Sequence, residues 1–504
     1  MKNHKLTVEK IAATVQGYFK QRAPFRINHG STNSTRQAFQ RQNTVDISAL
    51  SRVLKVDTKT RTALVEPNVP MDRLVEATIK HGLIPPVVME FPGITAGGGF
   101  AGTGGESSSF KFGYFNETVN SVEVVLGNGD VVTASEKENV DLFRGASGAV
   151  GSLGISTLLE LQLIQAKKYV KATYYTVKSV PEAVKKVKAE TENLELDYVD
   201  GILFSKDHGA IVTGTMTNDL PADAHVQTFS DARDPWFYLH VQDKTKGVTE
   251  YTEYIPLAEY LFRYDRGGFW VGASAFKYFR FPFNWLSRWW LDDFLHTRML
   301  YKALHASGQS RNYVIQDLAL PYSTAEEFIN YTADSFKIWP LWLCPLRQTR
   351  LPTLHPHNPE MEADGKTLKP MLNVGLWGFG PAQRDKFVAK NRELEHKLRD
   401  LGGMKWHYAH TYYEENEFWK MFDRKWYDGL RKKYHGESLP SVWHKVKVDP
   451  DAAKQADSSS WGTWALQFWP LGGIWGLRES IESREYLIAR NSTWKSKKGP
   501  EGSR

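Results

Sequence analysis

A chain of 504 residues with 41% apolar and 24% charged side chains has room for roughly two to four folded domains and is too apolar to be disordered. Its single cysteine, Cys344, excludes an internal disulfide and points to a reducing compartment. The net charge of +7 is modest and spread along the chain, which fits a soluble basic protein better than a preference for anionic membrane surfaces or a phosphorylated cofactor. No nucleic-acid partner is expected.

Residues 1–21 carry Leu6, Ile11, Val15 and Phe19 among Lys, Glu and Gln, the pattern of an amphipathic surface helix. Neither a signal peptide nor a membrane anchor is read there. Next comes a loop, 25–36, in which Gly30 is followed by Ser31, Thr32, Asn33 and Ser34. Small hydroxyl and amide side chains beside a glycine offer several donors to phosphate oxygens. A strand at 44–47 and a hairpin at 53–67 follow, then a helix from Met71 to His81 that ends at Gly82.

Six glycines fall between Gly97 and Gly105, followed by Ser107, Ser108 and Ser109. With almost no side-chain bulk, such a backbone approaches a pyrophosphate closely and presents its amides. The alternative is a flexible linker, but an ordered hairpin pattern follows at once. Gly97, Gly99 and Gly102 satisfy G-x-G-x-x-G, yet Pro92 and Gly93 break any strand before them and no apolar helical stripe follows. A Rossmann unit is therefore rejected. Val122, Val124 and Leu126 alternate up to the turn at Asn128–Gly129. Gly148, Gly151 and Gly154 then recur every third residue, as on a helix packed tightly to a backbone or ring, and a strand, 158–164, closes the unit.

Beyond residue 167, strands (169–177, 201–217, 371–377) alternate with helices (182–192, 325–337, 382–401), which predicts an antiparallel sheet covered by helices. The aromatic run 269–290, with Arg280 and Arg288 interleaved, has three readings: core packing, a greasy substrate channel, or contact with a bilayer surface. The uncharged stretch Trp461 to Leu477 is marginal for spanning a membrane, and Pro470, Gly472 and Gly473 are expected to interrupt a helix. It is read as a tail packed on the body, with shallow membrane insertion as the alternative. Tyr408 and Tyr412 can share one face of a helix or a strand. His407 and His410 lack a carboxylate–histidine pattern, so no metal site is expected.

The glycine loops and hairpins resemble the vanillyl-alcohol-oxidase class of flavoproteins, with its PCMH-type FAD-binding domain. Glu106 to Ser109 with Lys111 to Gly113, then 136–143, 166–171, 212–217, 234–237, 253–257, 316–318, 339–346 and 417–423, occur in the order found in the Δ24-sterol reductase family. The resemblance spans roughly residues 8–446. It implies an α+β fold with an FAD-binding domain at 1–166 and an α+β substrate domain at 167–448; a Trp-rich tail at 449–504 is read beyond it.

It also implies FAD as cofactor and NADPH as electron donor. The cofactor is expected at Gly30, Ser31, Thr32, Asn33 and Ser34. It is expected too at Thr95, Ala96, Gly97, Gly98, Gly99, Gly102, Thr103, Gly104, Gly105, Glu106, Ser107 and Ser108, and at Gly151, Gly154 and Ile155. His29 raises the question of a covalent flavin link, which the family does without. Reducing an isolated C=C takes a hydride and a proton, and the resemblance directs the search for the proton donor to Tyr412, Tyr408 and Gln316–Asp317.

The expected substrate is a sterol or related terpenoid. An FAD oxidase or dehydrogenase of a lipid-like alcohol, and a flavin-binding scaffold without turnover, are the alternatives. The expected location is inside the cell, in the cytoplasm or peripherally on the endoplasmic reticulum membrane. Family relatives carry an N-terminal anchor that is not read here. Oligomeric state stays open.

Overall fold

The computed structural model describes residues 1–30, 43–348, 351–448 and 469–496. Two antiparallel sheets organise it. The first has five strands in the order Val53–Asp57, Thr62–Val65, Ile155–Gln162, Val119–Val125 and Val131–Ser135. Ile155, Thr157, Leu159 and Leu161 all point inward along one strand, the period of a sheet with one face on a core. With no parallel pair in this sheet, the rejection of a Rossmann unit stands. Helix Met71–Ile79 covers its core with Met71, Leu74 and Val75. Helix Lys2–Lys20 packs Val8, Ile11 and Val15 against Phe25, Val45 and Ile155.

Two expectations for the glycine segments are corrected. Ala96–Gly102 is not an open loop but a short helix, capped by Thr95, whose side chain accepts from the Gly98 N–H. Ala96 and Phe100, four residues apart, hold it to the core. Gly148, Gly151 and Gly154, by contrast, do not lie on a helix: helix Val140–Ala146 ends before them, and their φ angles are 76°, 74° and 154°. A backbone at positive φ turns rather than propagates, and glycine enters that region without strain.

The second sheet has eight strands, all antiparallel, in the order Glu250–Pro256, Tyr169–Val177, Gly209–Thr217, Tyr198–Leu203, Leu341–Leu346, Met371–Phe379, Tyr313–Pro321 and Met404–Lys405. Its centre is a duplicated strand–helix–strand–strand unit. Strands of 9, 6 and 9 residues with helix Val180–Glu190 are repeated as strands of 9, 6 and 9 residues with helix Tyr322–Ser335. The two short strands pair at the middle, Ile202 opposite Trp342. Val199, Leu318, Leu320, Leu343 and Val374 point to the helices. The opposite face, with Asp200, Asp317, Trp342 and Trp377, turns toward the first domain.

Residues 218–312 are inserted between the repeats and close over that face. Helix Thr297–Ala306 from this insertion ties the domains together: Arg298 donates to both carboxylate oxygens of Asp72 at 2.8 and 3.0 Å and to the Pro92 carbonyl at 3.1 Å. Helix Leu471–Glu482 packs along it, with Ser480 donating to the Met299 carbonyl. Gly472 and Gly473 lie inside this helix rather than interrupting it, on its buried face. Residues 461–468 of the Trp-rich stretch lie outside the described residues.

Arg298→Met strands Asp72 as a buried, unpaired carboxylate and should cost about 3–5 kcal/mol. Adding Asp72→Leu should recover most of it. Urea unfolding of the two variants checks this, and a double variant no more stable than the single one contradicts it.

Candidate active site

Three glycine-bearing segments converge beside the face of the second sheet. Strand Arg26–Asn28 leads to Gly30, whose φ is 72°; Ser31, Thr32, Asn33 and Ser34 lie outside the described residues. Gly151 sits against Ile27, where a Cβ would be 3.0 Å from Cδ1. Val150 donates its N–H to the Ala101 carbonyl at 3.3 Å, joining that turn to the glycine helix. The second domain closes the arrangement: Trp406 Nε1 donates to the Thr103 carbonyl at 2.8 Å, and His407 Nδ1 lies 3.0 Å from the Gly148 carbonyl.

The expected row of bare amides is not found on the glycine helix. The N–H groups of Ala96, Gly97, Gly99 and Gly104 bond to the carbonyls of Val69, Pro67, Thr95 and Gly99, and that of Gly98 to Thr95 Oγ1. The glycines divide by what a side chain would meet. At Gly97 a Cβ would lie 2.6 Å from Pro67 Cβ, at Gly99 2.4 Å from Met89 Cε, at Gly105 2.9 Å from Leu346 Cδ2, and at Gly154 2.5 Å from Val124 Cγ1. Those four are glycine because the fold packs on them, and Ile155 beside Gly154 is core. At Gly104 the neighbour is only the flexible Met89 side chain, at 3.0 Å.

Gly98 and Gly102 differ. A Cβ at Gly98 would meet only its own capping oxygen, at 3.1 Å, and one at Gly102 only Tyr408 Cβ, at 4.0 Å. Four residues apart, they form a bare strip on the helix that protein packing does not require. A strip that a Cβ would fill, bordered by the Gly30 and Gly151 turns, fits a flat dinucleotide cofactor laid along it.

Facing this strip are four carboxyl groups and one guanidinium. Arg263 Nη2 lies 2.7 Å from Glu90 Oε1 and 3.0 Å from Asp200 Oδ2. Asp200 Oδ2 also accepts from Tyr264 Oη and Trp342 Nε1, both at 3.1 Å, and Ser107 Oγ donates to Glu90 at 3.4 Å. Asp317 accepts from Asn373 Nδ2 at 3.0 Å and from the Tyr408 hydroxyl. Among the described residues, Arg263 is the only cation in this group.

Burial without enough positive charge favours the neutral form of Glu90, Glu106 and Asp317. Desolvation pushes the Glu90 carboxyl up to about 8, with Arg263 pulling the other way. Burial, then the neighbouring Glu90, holds Glu106 well above the usual carboxylate range. Burial raises Asp317 against its hydrogen bonds from Tyr408, Asn373 and Trp377. The Tyr408 phenol is raised by burial and by Asp317. Glu106, Tyr301 and Tyr408 lie deep between the domains, yet each keeps part of its surface accessible, so they line an internal space. Phe269, 4.6 Å from Trp377 and 5.4 Å from Phe91 between ring centres, continues the wall.

Tyr412 is elsewhere. The segment 406–412 is neither helix nor strand, so the two phenols do not share a face. Tyr412 packs near Phe387 in the helix-side core, across the sheet from Tyr408. Glu90, Asp200 and Arg263 were missed by sequence reasoning. The signal was there for Asp200, one acid inside the otherwise uncharged strand Tyr198–Leu203, all of it buried; Asp317 is likewise the one charged residue of Tyr313–Pro321.

Gly98→Val should leave the fold intact, since its one close contact is the Thr95 hydroxyl at 3.1 Å, but yield colourless protein, because the side chain fills the bare strip. Gly99→Val should instead destabilise the protein through Met89 and Phe115. Visible absorbance and thermal melting separate them; a yellow Gly98→Val overturns the cradle.

Comparison with known proteins agrees with this geometry. The FAD binding domain family matches residues 6–135. The Delta(24)-sterol reductases of Mus musculus and Homo sapiens are each 32% identical over 411 residues, covering 79% of this chain and 76% of theirs. That of Arabidopsis thaliana is 28% identical over 441 residues, 82% of this chain and 78% of its own. The chain is therefore an FAD-dependent oxidoreductase that belongs to the Delta(24)-sterol reductase family.

Proposed function

We propose that this enzyme reduces the Δ24 double bond of a sterol side chain with electrons from NADPH, and that Tyr408, backed by Asp317, delivers the proton. The observation that carries the reading is the hydrogen-bonded pair Tyr408–Asp317, with Glu106 close by and both acids raised by burial, beside the bare strip at Gly98 and Gly102.

Saturating the bond adds one hydride and one proton across two carbons. Bound FAD would supply the hydride, and the glycine strip, the Gly30 and Gly151 turns and the segment 105–108 would hold it. The other half is the chain's own. The target alkene carries no carbonyl to withdraw electrons, so positive charge develops on carbon as the proton arrives, and the donor has to be a genuine acid. In the resting site the Tyr408 hydroxyl donates to Asp317; for the reaction the pair reverses, a protonated Asp317 donating to the Tyr408 oxygen so that the phenol hydrogen is free for the substrate. As Tyr408 gives that hydrogen to carbon, Asp317 replaces it, and the carboxylate left behind offsets the charge on the substrate. Asn373 and Trp377 hold Asp317 in place. The apolar rings of Phe91, Phe269 and Trp377 suit a hydrocarbon tail and exclude water. A sterol resides in membranes, so this reading puts the enzyme at a membrane surface.

Anaerobic NADPH should bleach the flavin, and a Δ24-unsaturated sterol should restore its colour; a flavin re-oxidised only by O2 would overturn the reading. Tyr408→Phe should slow re-oxidation by sterol about 10²–10⁴-fold without changing bleaching by NADPH, whereas Tyr412→Phe should alter neither. The sterol half-reaction should also weaken as pH rises through about 8. Above that value Glu90 loses its proton, and the added negative charge holds the remaining protons more tightly. Glu90→Gln, neutral at every pH, should move this alkaline limb upward; an unchanged limb would exclude Glu90 as its source.

A further inference from the structure

The helix Leu471–Glu482 is built inside out. A surface helix ordinarily buries its large apolar side chains and exposes its polar ones. Here Gly472, Gly473, Gly476 and Ser480 face inward. A Cβ on Gly473 would sit 2.5 Å from Tyr278 Cε1, and one on Gly476 2.4 Å from the Ala303 carbonyl oxygen, so the packing demands these glycines. Leu471 and Ile474 stand 50% and 54% exposed on the outer side, with Trp475 beside them.

The segment it packs against continues the same surface. Trp469 Nε1 donates to the Tyr278 carbonyl at 2.8 Å, and Arg280 lies over the Trp469 ring at 4.8 Å. From there the chain exposes Phe281 and Phe283 and enters helix Trp285–Trp290, where Leu286 and Trp290 are 60% and 69% exposed. Only Ser287 of that helix is buried. Lys277 and Arg280 are exposed among these rings.

We propose that this face docks on a lipid bilayer, the apolar side chains entering the headgroup–acyl boundary and Lys277 and Arg280 meeting anionic headgroups. Tryptophan at the interface with interleaved cations is the composition that boundary selects. Among the described residues no helix is long and apolar enough to cross a membrane, so the contact lies in the plane of the surface. The position of the face supplies the second argument. Helix Val271–Phe279 starts directly after Trp270, whose ring lies 5.3 Å from Trp377, the hydrogen-bond partner of Asp317. Helix Thr297–Ala306 carries Tyr301, 5.7 Å from Phe91, and meets Gly476 through Ala303. The two helices that underlie the exposed rings thus carry Trp270 at the start of one and Tyr301 on the other, against Trp377 and Phe91, and a sterol leaving the bilayer at this face would meet those rings. This last point rests on the sterol reading above; the docking itself does not.

The test is flotation of the FAD-loaded full chain with vesicles of phosphatidylcholine and phosphatidylserine, and with phosphatidylcholine alone. Leu286→Ser, Trp290→Ser and Ile474→Ser combined should abolish flotation with both vesicle types and leave thermal melting unchanged, since all three side chains are exposed. Lys277→Gln and Arg280→Gln should each weaken binding about fivefold, on the anionic vesicles alone. The triple variant should lose turnover of vesicle-held sterol and keep turnover of sterol delivered in cyclodextrin. Vesicle binding lost by the triple variant with no sterol turnover in either form upholds the docking face and removes the sterol reading. Flotation that survives the triple substitution overturns the proposal. So does a wild-type chain that ignores vesicles and sediments as a dimer that the same substitutions split, which would assign the face to a second copy.

Discussion

One guanidinium among four buried carboxyl groups sets the conditions for the rest of the site. A carboxylate taken out of water is expensive unless an opposite charge stands against it, and Arg263 can neutralise only part of what Glu90, Glu106, Asp200 and Asp317 would carry. Burial accordingly raises Glu90, Glu106 and Asp317, favouring retained protons. Glu90 comes from the first domain, Asp200 from the central sheet and Arg263 from the insertion, so the same contact that stores protons also docks three parts of the chain. Glu90 Oε2, Asp200 Oδ1 and Arg263 Nε have no protein partner among the described residues. Buried polar atoms are normally paired, and departures from that rule concentrate where function outweighs stability.

The sheet separates this electrostatics from the core that stabilises it. With a side-chain period of two, Leu318 and Leu320 face the helices while Asp317 and Ala319 face the other domain. A one-residue slip would exchange the faces and bury Asp317 in hydrocarbon. The duplicated strand–helix–strand–strand unit opposes such a slip, because helices Val180–Glu190 and Tyr322–Ser335 anchor the apolar sets of both halves on one side. Precision at Tyr408 and Asp317 therefore derives from ordinary packing on the far side of the sheet.

Much of the fold was legible because it rests on periodicity. The helices near 71–81, 182–192, 325–337 and 382–401 appear within a few residues of where their apolar spacing puts them, as do the strands near 53–67, 119–135 and 169–177. The glycine segment stood out in the sequence, yet its conformation was not readable. Thr95 as a cap and Phe100 as an anchor make a helix of residues whose intrinsic preference is against one. That Gly97 and Gly99 serve packing while Gly98 serves space depends on Pro67, Met89 and Phe115, distant positions that no local pattern announces. The pairing of Tyr408 with Asp317, and the loss of Tyr412 to the core, have the same origin. An irregular segment has no period from which to assign a face.

The chemistry and the electrostatics lean the same way. On the proposed reaction, carbon gains positive charge as the proton arrives, and a space rich in acids with a single guanidinium favours that charge more as each proton leaves. Aromatic faces add to the effect, since their quadrupoles attract cations most strongly where water is absent; Phe269, Trp270 and Trp377 are packed on one another at 4.6–5.6 Å. An enzyme that stabilised an enolate would need the reverse arrangement, with cations and amide donors aimed at an oxygen. Here the helix amides are spent on the fold and the lone guanidinium is already engaged by two carboxyls. On the proposed reading, the described residues suit the unactivated double bond of a hydrocarbon side chain better than a carbonyl-activated alkene.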